Sequence, residues 1–255
     1  MNLFSLAVGI GASLGLLQVW REAPPRREFA WLLNGWVILL AALIGGRAGF
    51  VWLNPHLYAD DGWAALRFWE GGLIFPTALL AVLLMIPLLS VVRRLPIPQM
   101  ADLAVLLLVP LAVSLWLGCG AAGCAYGVAL TDQYPWALPV LDADGTLNYR
   151  FPLPYLAAMA LLLIARPVEK KANDLQIAGA RACLLGLVLA VHTLVFSSWR
   201  ADAVPAFQNV RLDYLACYLL GVLSLIGVLA IAVIRFSKAI NRRRLSARHP
   251  PHLSS

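Results

Sequence analysis

The stretch FAWLLNGWVILLAALIGGRAGFVWL, residues 29–53, decides the fold class. Its 25 residues contain a single charged side chain, Arg47. An apolar segment of this length crosses the hydrocarbon core of a bilayer as one helix. Six further apolar stretches surround it, and they run near residues 2–20, 73–92, 102–122, 153–165, 177–196 and 212–234. The sequence therefore predicts an all-α, polytopic membrane protein with seven transmembrane helices, of which the fifth is short.

The composition excludes a soluble globular protein. Hydrophobic residues make up 61% of the chain and charged residues 13%, whereas soluble domains are about 25% charged. The net charge of +7 does not indicate a nucleic-acid partner, because the basic residues lie in short loops between apolar spans. Basic residues in short loops are typical of the cytoplasmic side of a membrane protein.

The charges alternate from loop to loop along the chain. Of the 20 Lys and Arg, 14 fall in the first, third and fifth loops and in the carboxyl-terminal tail, whereas the other loops are mainly acidic. No basic residue precedes the first stretch, which excludes the usual signal-peptide pattern. We therefore expect residues 1–234 to form a retained transmembrane domain of the inner (plasma) membrane, with its amino end outside. An outer loop is expected at about 128–150 and a basic cytoplasmic tail at 235–255.

Arg47 is the first candidate for function, because an ionisable side chain within a span is costly. It lies in GGRAGF, residues 45–50, and the glycines leave room beside the guanidinium. The planar guanidinium can donate two hydrogen bonds at once to a phosphate. The alternative is that Arg47 only extends towards the outer interface. The sequence leaves both interpretations open.

Two other polar positions stand close to apolar spans. Glu70, followed by Gly71 and Gly72, precedes the third span, where it is a candidate acid or base or simply faces water. Asp102 stands at the start of the fourth span, and its alternative role is that of a helix N-cap. His192 lies inside the sixth span, where a lone histidine is more often a hydrogen-bonded packing residue. Arg200 follows that span.

The segment LGCGAAGCAYG, residues 117–127, consists almost entirely of small residues. A helix can unwind at such a segment where protein or water covers the backbone. Cys119 and Cys124 are five residues apart, so a disulfide between them requires the helix to break. Inert packing of small residues is the alternative, and a metal site is not expected because no histidine lies nearby.

Four stretches resemble the motifs of prolipoprotein diacylglyceryl transferases. Residues 45–50 resemble the G-G-R-x-G-[YF] element of that family, and WEGGLIFPTA, residues 69–78, takes the place of its S-F-H-G-G stretch. Residues 118–127 resemble the G-C-F-x-A-G-C-C-Y-G variant of the family signature. YPWA, residues 134–137, resembles the downstream P-W-A.

The resemblance implies transfer of diacylglycerol from phosphatidylglycerol to a lipobox cysteine of a prolipoprotein, with no metal and no cofactor. It implies catalytic roles for Arg47, Glu70, Cys119 and Cys124. The substrate-binding set that it implies is Gly46, Gly49, Gly71, Gly72, Asp102, Tyr126, Gly127 and Arg200.

The sequence also departs from the family pattern at several positions. Pro76 stands where the family has histidine, Trp116 where it has arginine, and Cys119 and Cys124 where it has asparagine and glutamate. Thr193 and Ser197 replace an arginine and a glutamate of the sixth helix. A catalytically inactive lipid-binding or accessory membrane protein of the same fold therefore remains the alternative function.

Overall fold

The computed structural model describes residues 3–131, 134–141, 145–207 and 210–248, without the side chains of Glu70 and of residues 238–248. Within these ranges the chain forms seven α-helices and four short strands. The helices are α1 Leu3–Arg21, α2 Glu28–Leu53, α3 Phe75–Arg93, α4 Ile97–Ala122, α5 Leu153–Asp174, α6 Ala180–Ser198 and α7 Leu212–Arg248. The predicted all-α, polytopic architecture is confirmed.

Six of these helices are long and apolar enough to cross a bilayer: α1 to α4, α6, and α7 over Leu212–Ser237. Helix α5 differs because its second half carries charged residues. The sequence predicted a stretch that ends near residue 165, but the helix continues through Pro167 to Asp174. Its apolar part is therefore shorter than a full span, and the count of seven transmembrane helices stays a prediction.

Helix α4 is the centre of the bundle. One group of its buried residues, including Met100, Leu103 and Leu107, packs with Leu16 and Val19 of α1 and with side chains of α2 and α3. A second group, including Val105 and Val113, packs with α5, α6 and α7. Two apolar clusters thus share one helix, with α1, α2, α3, α5 and α6 against it and α7 packed on α6 and α3.

Successive helices run antiparallel, which gives the bundle two distinct ends. The Ile74 N–H, at the start of α3, donates to the Gly46 carbonyl late in α2 at 3.1 Å. At the other end of the same pair, Arg93 Nε donates to Oδ1 of the buried Asn34 at 2.8 Å. Helix α4 begins four residues after Arg93, so Asp102 lies near that second end. We call the two ends the Arg47 end and the Asp102 end.

Asp102 caps a helix, but not its own. It lies within α4, and its carboxylate accepts hydrogen bonds from the backbone N–H groups of Gly179 (2.6 Å) and Ala182 (2.8 Å) at the start of α6. The predicted capping role is therefore present across a helix–helix contact. This contact lies at the Asp102 end, so Asp102 is far along the bundle from Arg47.

We expect Asp102→Ala to lower the free energy of unfolding by about 1–2 kcal/mol, because α6 would lose the acceptor of two N–H groups. Asp174→Ala is a suitable control, since Asp174 is exposed at the same end. Thermal unfolding of the two purified variants measures the difference. Equal midpoints would show that the cap contributes nothing.

Short strands close the Arg47 end. Strands β1 (Leu138–Leu141) and β2 (Leu147–Arg150) form an antiparallel hairpin within the predicted loop 128–150. Strands β3 (Ala206–Phe207) and β4 (Val210–Arg211) form a second, smaller one. Neither hairpin was predicted. Helix α7 continues to Arg248, so the segment predicted as a separate tail from residue 235 begins as helix.

Candidate functional site

The α2–α3 segment, residues 54–74, forms one wall of the candidate site. It contains three short 3₁₀ helices, Pro55–Tyr58, Gly62–Leu66 and Phe68–Glu70, followed by Gly71 and Gly72. Both glycines have positive φ, at 97° and 70°. This conformation suits glycine and strains other residues. The segment therefore folds back towards α2 instead of extending away from it.

Arg47 fastens this segment to α2. Its Nε donates to the Ala65 carbonyl at 2.8 Å, and its Nη2 donates to the Ala64 carbonyl at 2.7 Å. Its Nη1 donates to the carbonyls of Gly71 at 2.5 Å and Gly72 at 3.4 Å. A guanidinium has five N–H donors, so these contacts use four of them. The two-bond phosphate grip predicted from the sequence is not available in this arrangement.

A cavity of about 250 Å³ opens beside the guanidinium. The rings of Phe50 and Tyr58 lie near the guanidinium, with their centroids 5.9 and 5.5 Å from the Arg47 Cζ. Both distances are in the range of a cation–π contact. The residues that line the cavity are Arg47, Phe50, Leu57, Tyr58, Ala64, Gly71 and Gly72. Arg47 thus faces a cavity that is part polar and part aromatic.

Two glycines of the predicted binding set permit this packing. A Cβ on Gly72 would lie 2.7 Å from both Arg47 Nη1 and the Phe50 ring, so a side chain there would displace the guanidinium. A Cβ on Gly49 would lie 2.1 Å from Thr77 Oγ1, which means that α2 and α3 touch at this glycine. Gly46 also faces α3 and accepts the Ile74 hydrogen bond. The side chain of Glu70 lies outside the described part of the structure.

The other predicted residues form a second group at the carboxyl end of α4. The helix ends at Ala122, and Gly123 adopts a left-handed conformation with φ 73°. The break brings Cys119 and Cys124 together in a disulfide, with 4.6 Å between their Cα atoms. Neither sulfur is a thiolate in a disulfide, and thiolate is the reactive form. The catalytic role predicted for these cysteines therefore requires the bond to be reduced.

The chain after the disulfide docks on the loop that follows α6. The Ala125 N–H donates to Asp202 Oδ2 at 3.1 Å, and the Tyr126 carbonyl accepts from the Ala201 N–H at 2.9 Å. Arg200 pairs with Asp202 at 2.6 Å. The Arg150 guanidinium lies 4.7 Å from the centroid of the Tyr126 ring. These contacts place Tyr126 and Arg200 in the same part of the structure, and their role in substrate binding stays a prediction.

Gly127 joins this second group to the first hairpin. Its N–H donates to the Phe151 carbonyl at 3.1 Å, and a Cβ on Gly127 would lie 3.0 Å from Phe151 Cβ. Gly127 therefore has a packing role beside β2. Asp102 belongs to neither group, because it lies at the opposite end of the bundle.

A third group at this end was not predicted. Asp213, at the start of α7, and Ser197, near the end of α6, are both buried and hydrogen-bonded to each other. Arg211 Nη2 donates to Asp213 Oδ2 at 2.9 Å and to the Ser197 carbonyl at 2.8 Å. The hydrogen bond to the Asp213 carboxylate raises the pKa of Arg211. The Arg-x-Asp spacing at a helix start is the only signal of this group in the sequence.

A family model described as prolipoprotein diacylglyceryl transferase matches residues 1–236. The chain belongs to the prolipoprotein diacylglyceryl transferase family. This result confirms the family that the motifs at residues 45–50 and 118–127 predicted. The comparison with curated proteins gives no match. Together with its apolar helices, family membership indicates a multi-pass membrane protein of lipoprotein biosynthesis.

The positions that depart from the family pattern have structural roles. Pro76 lies in the first turn of α3, where a proline fits because its missing N–H has no helical partner. The Trp116 ring packs against His192 and Phe196 of α6, with centroids 6.1 Å from each. Ser197 belongs to the buried group with Arg211 and Asp213. Packing and hydrogen-bonding contacts therefore occupy these three positions.

The disulfide gives a direct prediction about thiol counts. In denaturant without reductant, we expect a maleimide to label only Cys183 and Cys217, which are free in the structure. After reduction, all four cysteines of the chain should react, and mass spectrometry counts the labels. The double variant Cys119→Ser/Cys124→Ser should give the same number before and after reduction. Four labels on unreduced wild-type protein would contradict the pairing.

Proposed function

We propose that this protein transfers diacylglycerol from phosphatidylglycerol to the thiol of a lipobox cysteine in a prolipoprotein. The observation that carries the proposal is the Arg47 guanidinium at the wall of the 250 Å³ cavity, in a motif shared with a family of such transferases. In the reaction, the thiolate sulfur forms a C–S bond to the glycerol carbon. The C–O bond to phosphate breaks, and its electron pair leaves with glycerol phosphate.

Arg47 supports this reaction through its charge. The four carbonyls that accept its hydrogen bonds are neutral dipoles, so the positive charge remains beside the cavity. One N–H of Nη2 is left for a phosphate oxygen. A fixed cation next to a leaving phosphate stabilises the charge that develops in the transition state. We therefore place the phosphate of phosphatidylglycerol against the Nη2 side of Arg47.

The charge pattern supports one orientation of the protein in the membrane. Basic residues cluster in the loops at the Asp102 end, which by the positive-inside bias faces the cytoplasm. The Arg47 end then opens at the outer leaflet of the inner membrane. A lipobox cysteine presented from that side reaches the same end of the bundle. The disulfide Cys119–Cys124 is compatible with this assignment, because disulfides persist outside the cytoplasm.

A second function is favoured by a specific observation. Arg47 already holds the α2–α3 segment with four hydrogen bonds, and the two cysteines that replace family residues are paired with each other. A protein with these features can bind phosphatidylglycerol without transferring it. The second candidate is therefore a non-catalytic lipid-binding or accessory membrane protein.

Complementation separates the two functions. The protein is expressed in a bacterial strain depleted of its own transferase, and lipidation of a reporter lipoprotein is followed by its shift in gel mobility. Restored lipidation is the expected result. If the protein inserts into the membrane at normal levels, binds phosphatidylglycerol after purification and still restores nothing, the accessory function replaces the transferase.

A further inference from the structure

His192 has one ring nitrogen that lacks a partner. Its side chain is buried, and its Nε2 lies 2.9 Å from the carbonyl oxygen of Ala157 on α5. Because a carbonyl oxygen only accepts, Nε2 carries the ring proton and donates it. Nδ1 is then the nitrogen with the free lone pair. Among the side chains that the structure describes, this Nδ1 is the one buried polar atom with no hydrogen bond.

An unpartnered acceptor in the protein interior is unfavourable. The lone pair has lost its hydrogen bond to water and gained none in the protein. Such atoms are rare in native structures and call for a specific explanation. His192 is a hydrogen-bonded packing residue, as expected from the sequence, but only one of its two ring nitrogens has a partner. A hydrogen-bond donor placed beside Nδ1 would therefore stabilise the protein.

The surroundings restrict the chemistry of that donor. The rings of Phe196 and Trp116 flank the imidazole, with centroids 4.6 and 6.1 Å away. A lone water needs two to four polar partners to be stable in a buried site, and aromatic rings do not provide them. A charged donor would face a large desolvation cost. The donor that fits is a neutral hydroxyl or thiol attached to an apolar molecule.

The depth of His192 agrees with a ligand that enters from the Arg47 end. It lies six residues before the end of α6, which corresponds to about 9 Å along the helix axis. Phe196 and Trp199 continue the same aromatic face towards that end, with ring centroids 5.8 Å apart, and Trp199 is exposed. The helix thus presents aromatic side chains from the exposed end down to the His192 ring.

We propose that Nδ1 of His192 binds the thiol of the acceptor cysteine and takes its proton during transfer. This inference rests on the transferase function proposed above. The S–H proton moves to Nδ1, the sulfur forms its bond to the glycerol carbon, and the electron pair of the breaking C–O bond leaves with glycerol phosphate. The proton then leaves the imidazolium with that phosphate. The Ala157 carbonyl stays hydrogen-bonded to Nε2–H and stabilises the cation.

Nitrogen NMR of the histidine side chains tests the binding step without any turnover. The full chain is labelled with ¹⁵N-histidine and placed in phosphatidylcholine vesicles, which contain no phosphatidylglycerol. The chain has four histidines, and the variant His192→Gln identifies the His192 signal. The samples compared are the protein alone, with diacylglycerol, with a reduced lipobox peptide, and with the same peptide carrying alanine for cysteine.

An upfield shift of the Nδ1 resonance with the cysteine peptide, and not with the alanine peptide, is the expected result. A shift with diacylglycerol alone would overturn the proposal in favour of a lipid hydroxyl. No shift in any sample, or an Nδ1 already hydrogen-bonded in the protein alone, would also overturn it. Since phosphatidylglycerol is absent, a positive result stands even if the protein transfers nothing, and a negative one counts against His192 even if transfer occurs.

The variant His192→Gln gives the kinetic test. Its amide NH₂ can still donate to the Ala157 carbonyl, so the contact between α5 and α6 is kept while the basic nitrogen is lost. We expect kcat to fall about 100-fold, the lower end of the range for general bases, with the KM for phosphatidylglycerol unchanged. A purely structural role would instead lower the thermal stability and leave kcat of the folded fraction intact, which would contradict the proposal.

Discussion

Replacing Arg47 with alanine is expected to abolish phosphatidylglycerol binding and to release the α2–α3 segment at the same time. The variant loses four hydrogen bonds from a charged donor to the carbonyls of Ala64, Ala65, Gly71 and Gly72. Hydrogen bonds to charged groups contribute about 1.5–3 kcal/mol each, although several to one group do not add fully. Because the released carbonyls form the wall of the cavity, the binding site disappears with the contact.

One measurement tests the loss of lipid binding, and a second tests the release of the α2–α3 segment. Titration with labelled phosphatidylglycerol in detergent should show at least about a 100-fold loss of affinity, which corresponds to about 2.8 kcal/mol. Limited trypsin digestion should show faster cleavage after Arg67, which lies inside the α2–α3 segment. Arg27→Ala is the matched control, since Arg27 is exposed near the Asp102 end. It should change neither quantity.

Arg47→Lys distinguishes the charge from the hydrogen bonds. An ammonium group keeps the positive charge but has only three donors at one point, so it cannot reach all the carbonyls that lie around the edge of the guanidinium. If lipid affinity depends on charge alone, the lysine variant retains it while the segment is cleaved faster. If the cavity wall matters, both change as they do in the alanine variant. Unaltered affinity and cleavage in Arg47→Ala would refute the site.

The sequence was most informative where structure is local. The apolar stretch 29–53 predicted α2, because spanning length and low charge are properties of the stretch itself. The cluster of small residues after Leu117 predicted that α4 could break, and Gly123 is where it does. The motif at residues 45–50 predicted the family, because its Arg and glycines are adjacent in the chain. These features need no knowledge of the bundle.

The sequence was least informative where a partner lies far along the chain. Asp102 was expected to cap its own helix or bind substrate, whereas its partners are 77 and 80 residues away on α6. Arg47 was expected to grip a phosphate with its fork, but backbone carbonyls 17 to 25 residues away accept four of its hydrogen bonds. Backbone carbonyls are present at every position, so no residue pattern marks which of them an arginine will meet.

The same limit applies to His192 and to the first hairpin. The sequence showed a lone histidine in a span, but only the structure reveals that Nε2 is bonded and Nδ1 is not. In the loop 128–150, turn-forming residues were recognised and the strands beside them were not. Each strand has only four residues, which is too short for an alternating pattern to stand out.

Replacing Asp213 with alanine is expected to destabilise the Arg47 end more than any other single change to an ion pair. The Asp213 side chain is 7% exposed, and its removal leaves Arg211 without its ion-pair partner and with only its hydrogen bonds to Ser197. The Arg211 side chain that remains is 26% exposed, so water partly compensates its charge, and we expect a loss of about 1.5–3 kcal/mol, the contribution of hydrogen bonds to a charged group. The contact also joins the end of α6 to the start of α7, so the two helices should separate first at this end.

The chain offers a matched control in the pair of Arg67 and Asp61. That pair has the same 2.9 Å distance, but its side chains are 43% and 48% exposed. Exposed pairs contribute about 0–1 kcal/mol, so Asp61→Ala should barely alter unfolding. Thermal unfolding of both variants in the same detergent, with hydrogen exchange at the start of α7, measures the contrast. Similar losses for the two variants would mean that burial of the Asp213 carboxylate has no energetic consequence and that packing alone holds α6 against α7.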